Sequence, residues 1–294
     1  MLPVLSDADV LALRPSADRP TDFWSPHAAF VERERSRGGE AVDVGTILLT
    51  NRECPYRCVM CDLWKYTTPE RVPQGAVARQ VERGLEACRG ARQVKLYNAG
   101  SFFDAQAVPT SDLPRIAELV RRMEAVIVEC HPALVGPRAL ELSRRIEGSL
   151  DIAMGLETID PQVLPRLNKK MTLDGVRRAI DFCLGHGMQV RLFIILRLPG
   201  QSEEEGRSWA LASIEWGMRA GAECCVVIPA RRGNGMMEEL ERQGIFSPPS
   251  FESLEWVVRE GIRLGMGRVF GDTWGLEPLQ AQRIHKLNLE QPVA

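Results

Sequence analysis

Three cysteines, Cys54, Cys58 and Cys61, fall within eight residues in a C-x3-C-x2-C pattern. In a chain with eight cysteines spread over 294 residues, such grouping points to metal chemistry rather than to a disulfide framework. A [4Fe–4S] cube takes a ligand on each iron, usually four cysteines. Three in one tight loop leave one iron without a protein ligand, and an open position separates a catalytic metal site from a structural one. A structural zinc would want a fourth Cys or His, and none occurs from Asp62 to Ala87. The other cysteines, Cys88, Cys130, Cys183, Cys224 and Cys225, form no second group and read as core packing. Cys130 stands apart because it follows a predicted strand.

Positioning such a loop requires a scaffold, and the apolar pattern supplies one. Predicted strands are Thr46–Leu49, Val94–Tyr97, Val126–Glu129, Ile152–Leu156, Val190–Leu196 and Cys224–Ile228, with Arg268–Phe270 a weaker seventh. Stretches of helical period alternate with them: Ala76–Cys88, Asp112–Met123, Pro137–Ile146, Leu173–His186, Glu203–Ala220, Met236–Gln243 and Phe251–Leu264. This alternation predicts an α/β fold, a partial (β/α)6 TIM-like barrel with parallel strands and right-handed crossovers. Residues 44–245 form the expected core. Residues 1–43 are an N-terminal extension, read as a helical cap or arm, and residues 246–294 a C-terminal extension packing on the barrel. Functional loops then gather beyond the carboxyl ends of the strands, where the cysteine loop lies directly after the first strand.

That rule selects further candidates. Glu129 and His131 follow the third strand and are positioned to face substrate; a satisfied structural acid is the competing reading for Glu129. Lys169 and Lys170 follow the fourth strand and could clamp a phosphate or carboxylate, against a solvated basic loop. Arg231, Arg232, Gly233 and Gly235 make a small basic glycine loop whose spacing is not that of a polyphosphate loop. Trp274 reads as core rather than as a stacking platform, and Asp62 and Trp64 as braces for the cysteine loop.

A C-x3-C-x2-C loop after a first strand resembles the defining motif of the radical S-adenosylmethionine (SAM) superfamily, over residues 45–240. The resemblance implies a partial barrel of radical SAM type, a [4Fe–4S] cluster on Cys54, Cys58 and Cys61, and SAM on the open iron. It implies SAM contacts from Asn98, Gly100 and Ser101 after strand two, where family members usually carry an acid. It also implies contacts from Glu157 and Thr158 at strand four, Met60 in the loop, and Pro229 after strand six. Within the superfamily the strings Cys61-Asp-Leu-Trp64, Val128-Glu-Cys-His-Pro132, Met154-Gly-Leu-Glu-Thr158 and Asn168-Lys-Lys170 are similar to the Elongator-type catalytic subunit and archaeosine-type relatives. In that group His131 stands where an Arg is usual. The implied chemistry is reductive SAM cleavage and hydrogen abstraction, with Glu129, His131 and Lys170 as candidate substrate groups.

Bulk properties bound the function. The formal net charge is -2, so no global positive field draws the chain to nucleic acid, whose binding leans on many phosphate contacts. The first ten residues lack the pattern of a signal peptide, and no apolar stretch approaches the roughly 18 residues that cross a bilayer. A cytoplasmic protein is expected, taking electrons from a flavodoxin or ferredoxin. The competing functions are a radical SAM enzyme on a tRNA nucleoside, the same chemistry on a small metabolite, and a non-enzymatic zinc-binding or electron-transfer module.

Overall fold

Short runs rich in Val, Ile and Leu become strands because branched side chains fit a pleated surface covered on both faces. In the computed structural model, which describes residues 1–292, these runs build one eight-stranded sheet with strands in chain order. The elements begin with α1 (Asp7–Ala12), β1 (Ala28–Arg35), β2 (Ala41–Leu48), α2 (Ala76–Ala87), β3 (Gln93–Tyr97) and α3 (Leu113–Val120). They continue through β4 (Ala125–Glu129), α4 (Pro137–Ser143), β5 (Ser149–Glu157), α5 (Leu173–Gly185) and β6 (Gln189–Leu196). The last are α6 (Glu203–Arg219), β7 (Cys224–Pro229), α7 (Met236–Arg242), α8 (Phe251–Arg263), β8 (Arg268–Gly271) and α9 (Pro278–Glu290).

Strands β2 to β8 pair in parallel. The six expected strands are β2–β7, and the weaker seventh is β8. Strand periodicity sends alternate side chains to opposite faces. Val94, Leu96, Val126, Val128, Ile152, Met154, Val190 and Leu192 point outward and pack on Val77, Val81, Ile116, Val176, Ile180 and Ile214 of the helices in one large core. Inward-facing Ala125, Ile127 and Ala153 pack with Tyr97 and Phe193. The sheet is therefore a curled half-barrel with a filled interior.

The segment read as a helical cap or arm contains a strand instead. β1 runs antiparallel to β2, with Ala28 opposite Leu48 and Arg35 opposite Ala41. Its alternation is hidden from an apolar search because two acids reach the barrel's charged base. Glu34 pairs with buried Arg191 and Lys95, and Lys95 also meets Glu32 at 3.0 Å. Burial would lift the Glu34 carboxyl, but the charges of Arg191 and Lys95 outweigh it and hold it well below its usual range. Arg268 of β8 donates to the Arg35 carbonyl at 2.6 Å and pairs with Glu223 at 2.5 Å. Net stabilisation from such buried pairs is small; here they dock β1 and draw the two sheet edges together at the base. The carboxyl ends of the strands, the mouth, are left to loops.

Candidate functional site

The cysteine loop leaves β2 under tight control. Buried Gln80 of α2 accepts from the Thr50 N–H at 2.7 Å and donates to the Thr50 carbonyl at 2.8 Å. Glu53, one residue before Cys54, gathers Arg14 at 2.7 Å, Arg19 at 3.1 Å and Arg57 at 3.2 Å. Asn234 after β7 donates to the carbonyls of Val59 (2.7 Å) and Cys61 (3.3 Å). Asn168 donates to Arg57 O at 2.8 Å and to Asp7 at 2.7 Å. Beneath these contacts lies a second apolar core of Leu2, Val10, Val59, Leu167, Leu198, Met237 and Phe246, with Met60 packed at its edge. The N-terminal arm, the cysteine loop and the loops after β5, β6 and β7 are thus one packed rim.

Cys54, Cys58 and Cys61 are all free thiols, partly exposed. Burial pushes each thiol up, Cys61 to about 12, while the Lys169 ammonium pulls Cys58 back. Among the described residues no three His, Cys, Asp or Glu converge on a single metal ion.

The strand ends bring most of the other candidates to this loop. Gly100 lies against it, since a Cβ there would stand 3.5 Å from the Cys54 Cβ and 3.9 Å from Asn51 Nδ2. Asn98 is fully buried, yet neither its Oδ1 nor its Nδ2 has a partner, and Asn51 Oδ1 is likewise orphaned. Glu157 ends β5 at a bulge with φ +63° and pairs with half-buried Lys169, whose Nζ also donates to Gly155 O at 2.8 Å. Burial would lower the Lys169 ammonium, but the Glu157 charge prevails and raises it. Ser101 accepts from the His131 N–H at 2.9 Å, and Thr158 accepts from the Asp160 N–H at 3.1 Å, so both hydroxyls are engaged locally. Pro229 closes β7 opposite Leu196. All five non-glycine residues with positive φ among those described, Ala99, Glu157, Asn168, Lys170 and Arg197, lie at or beyond these strand ends. Such strain collects at functional sites.

His131 stacks on Tyr56 of the cysteine loop with centroids 4.0 Å apart. Its Nδ1 accepts from the Ala133 N–H at 3.2 Å, so Nε2 carries the proton and donates to Lys169 O at 3.0 Å. Burial and the nearby Lys169 charge push it down to about 4, so the ring stays neutral. With both nitrogens on backbone groups it holds a position. Lys170 is exposed, and the lysine brought into the site is Lys169. Trp274, expected in the core, is 52% exposed. Sequence reasoning missed Asn51, Tyr56, Glu53 and Arg14. Only their closeness to the cysteines, or for Arg14 nothing, marks them.

Glu129 is half-buried at the mouth and accepts from the Asn98 N–H at 3.1 Å. Burial pushes its carboxyl up to about 7, against a smaller pull from the N–H groups of Asn98 and Ala99. A carboxyl raised on folding stabilises the fold fully below its unfolded value near 4.5, and that contribution is lost as pH climbs through 7. Urea unfolding of wild type and Glu129→Gln across pH 4.5 to 7.5 therefore diverges by roughly 3 kcal/mol, with wild type losing ground as pH rises. Parallel profiles would contradict this placement of the carboxyl.

Comparison with known proteins decides what kind of loop this is. Residues 48–210, more than half of the chain, match the radical SAM superfamily. The chain belongs to the radical SAM superfamily. Over 188 residues, 58% of this chain and 35% of the other, it is 28% identical to an uncharacterized protein of Methanopyrus kandleri. Among solved structures, methylornithine synthase superposes with a TM-score of 0.57 at 15% identity, covering 81% of this chain and 67% of that one. Elp3 of Methanocaldococcus infernus gives 0.54 at 14%, covering 71% and 57%. The radical SAM methyltransferase TsrM of Kitasatospora setae, solved with tryptophan and a SAM analog, gives 0.51 at 20%, covering 70% and 40%. The chain thus spans about a third of the length of the M. kandleri relative and two-fifths of TsrM. The structural likenesses show the shared half-barrel.

Membership in a radical SAM family implies a [4Fe–4S] cluster and SAM, and the residues present fit both. The donor set is three thiols on one braced loop. Beside it, Asn98 and Asn51 hold buried amide atoms that nothing in the protein satisfies, the condition expected of groups reserved for a polar ligand. No helix among the described residues is long and apolar enough to cross a membrane.

Proposed function

We propose that this chain is a radical SAM enzyme that cleaves SAM reductively and abstracts hydrogen from a small-molecule substrate held over the barrel mouth. Cys54, Cys58 and Cys61 hold the cluster, and Asn98 is the observation that carries the SAM reading. Its two unpartnered amide atoms suit the amino and carboxylate groups of the methionyl moiety, in the turn where relatives place an acid. Gly100 keeps that turn open against Cys54, and Glu157 offers a carboxylate to the ligand's ammonium. Ser101 and Thr158 shape the two turns, while Met60 and the backbone at Pro229 face the adenine. When bound, the cluster supplies the electron that breaks the sulfonium C–S bond, yielding a 5′-deoxyadenosyl radical. The rim packing holds the cysteine loop in place, and His131 fixes Tyr56 and the Lys169 backbone beside it.

A small molecule suits this mouth better than tRNA. Arg231 pairs with Asp272 at 2.9 Å, Arg232 with Glu241 and Lys169 with Glu157, which leaves exposed Lys170 of the four basic groups considered for phosphate, and RNA affinity rests on many such contacts. Residues 44–245 act as the catalytic core, and the flanking 1–43 and 246–294 each add an edge strand to the same sheet, in a cytoplasmic protein served by a flavodoxin or ferredoxin. Anaerobic incubation of the iron-loaded protein with dithionite and SAM tests the reading. Release of 5′-deoxyadenosine and methionine is expected. A cluster-loaded protein that binds SAM and releases neither would overturn it.

A further inference from the structure

The half-barrel has two unpaired edges, β1 and β8, and aromatic side chains bridge them at the mouth. His27, just before β1, lies 4.8 Å from Tyr66, in the turn five residues after Cys61. Tyr66 lies 6.0 Å from Trp274, which follows β8. The Arg231 guanidinium sits 5.5 Å over the Trp274 ring. Trp274 is the least buried tryptophan at 52% exposure, yet its backbone is pinned on both sides. Its N–H donates to Asp272 at 3.2 Å, and its carbonyl accepts from Arg231 at 3.3 Å. An aromatic ring carried on a pinned backbone has already lost the backbone freedom that binding would otherwise remove.

We propose that Trp274, buttressed by Tyr66 tilted 44° to it, is a stacking face for a planar aromatic ring of the substrate, which makes that substrate an aromatic or heteroaromatic small molecule. This rests on the radical SAM reading above. Charge argues for a neutral ring rather than a nucleic-acid strand. Arg231 is neutralised by Asp272, and Lys65, beside Tyr66, is spent on the Gly233 carbonyl. The half-exposed Trp274 ring, with the Arg231 guanidinium over it, favours offset stacking of another ring. Place argues for the substrate. The loop after β7 that carries Arg231 also carries Asn234, which grips the Cys61 carbonyl, so the platform and the cluster loop share one support.

The test uses the cluster-loaded protein with 5-fluorotryptophan at its six tryptophans, the Trp274 fluorine signal being the one absent from Trp274→Phe. The probes are 2-naphthol, its saturated analogue decahydro-2-naphthol, and a ten-nucleotide oligouridine. A saturable shift of the Trp274 signal is expected with 2-naphthol and not with the saturated analogue, although the latter is the more hydrophobic. Tyr66→Leu should weaken the 2-naphthol response about fivefold. Equal response to both alcohols, no response to either, or tighter and salt-sensitive response to the oligonucleotide would each overturn the proposal. Wild-type 5′-deoxyadenosine release, measured on the same sample, separates the two layers. Release without ring binding sinks the platform alone; ring binding without release sinks the radical SAM reading.

Discussion

Replacing Cys58 by Ala is expected to remove the cluster and SAM cleavage together. Cys58 sits between the other two thiols in a loop held from four sides, by Gln80, Glu53, Asn234 and Asn168. Those braces lie outside the cysteine side chains, so the loop should keep its path when one sulfur is lost. The fold should survive as well, because the large core uses none of these residues. What disappears is a ligand. Loss of an outer partner of a metal site already costs roughly 10–100-fold in affinity or activity, and loss of one of three ligands should exceed that. Iron per chain and the ~400 nm absorption after anaerobic reconstitution should fall to background, with 5′-deoxyadenosine release falling at least a hundredfold. Full iron content, or retained cleavage, in Cys58→Ala would refute the ligand assignment.

Glu157→Gln is expected to separate SAM binding from cluster binding. The carboxylate is buried, ends β5 in a left-handed conformation and is paired with Lys169. A hydrogen bond to a charged group is worth about 1.5–3 kcal/mol, so SAM affinity should fall by about 10–100-fold in equilibrium dialysis. Iron content should stay at the wild-type level, since Glu157 is not a ligand. The variant also strands the Lys169 ammonium, and an uncompensated buried charge costs about 3–5 kcal/mol. A lowered melting temperature should therefore accompany the weaker binding. A double variant, Glu157→Gln with Lys169→Met, should recover stability without recovering SAM affinity. Unchanged SAM affinity in Glu157→Gln would remove it from the ligand site.

The barrel was legible in the sequence because its strands are buried on both faces and read as continuous apolar runs, and because capped helices such as the one at Ser202 punctuate them. β1 was not, since the face it turns to the barrel base is charged. Glu32 and Glu34 satisfy Lys95 and Arg191, and no hydropathy pattern reports a strand whose inward side is ionic. The cysteine loop was legible from spacing alone. Its bracing was not, because Arg14 reaches Glu53 across 39 residues and Asn234 reaches Cys61 across 173. Of the two adjacent lysines, spacing could not say which enters the site; the left-handed turn at Asn168 and Lys170 sends Lys169 inward. His131 was legible as a mouth residue but not as a neutral strut, a role that depends on where the Ala133 N–H and the Lys169 carbonyl fall. Trp274 was misplaced for a related reason: a lone tryptophan near a strand end is usually core, and only the gap between β1 and β8 leaves this one facing water.

The central claim is that three cysteines leave one iron open for SAM, beside the orphaned amide of Asn98. Its most direct test is electron–nuclear double resonance on the reduced, reconstituted protein, with SAM carrying nitrogen-15 at its amino group. A hyperfine coupling from that nitrogen to the cluster is predicted in wild type, weakened or lost in Asn98→Leu at the same iron content. A cluster that forms on Cys54, Cys58 and Cys61 and shows no coupling to bound SAM would contradict the account.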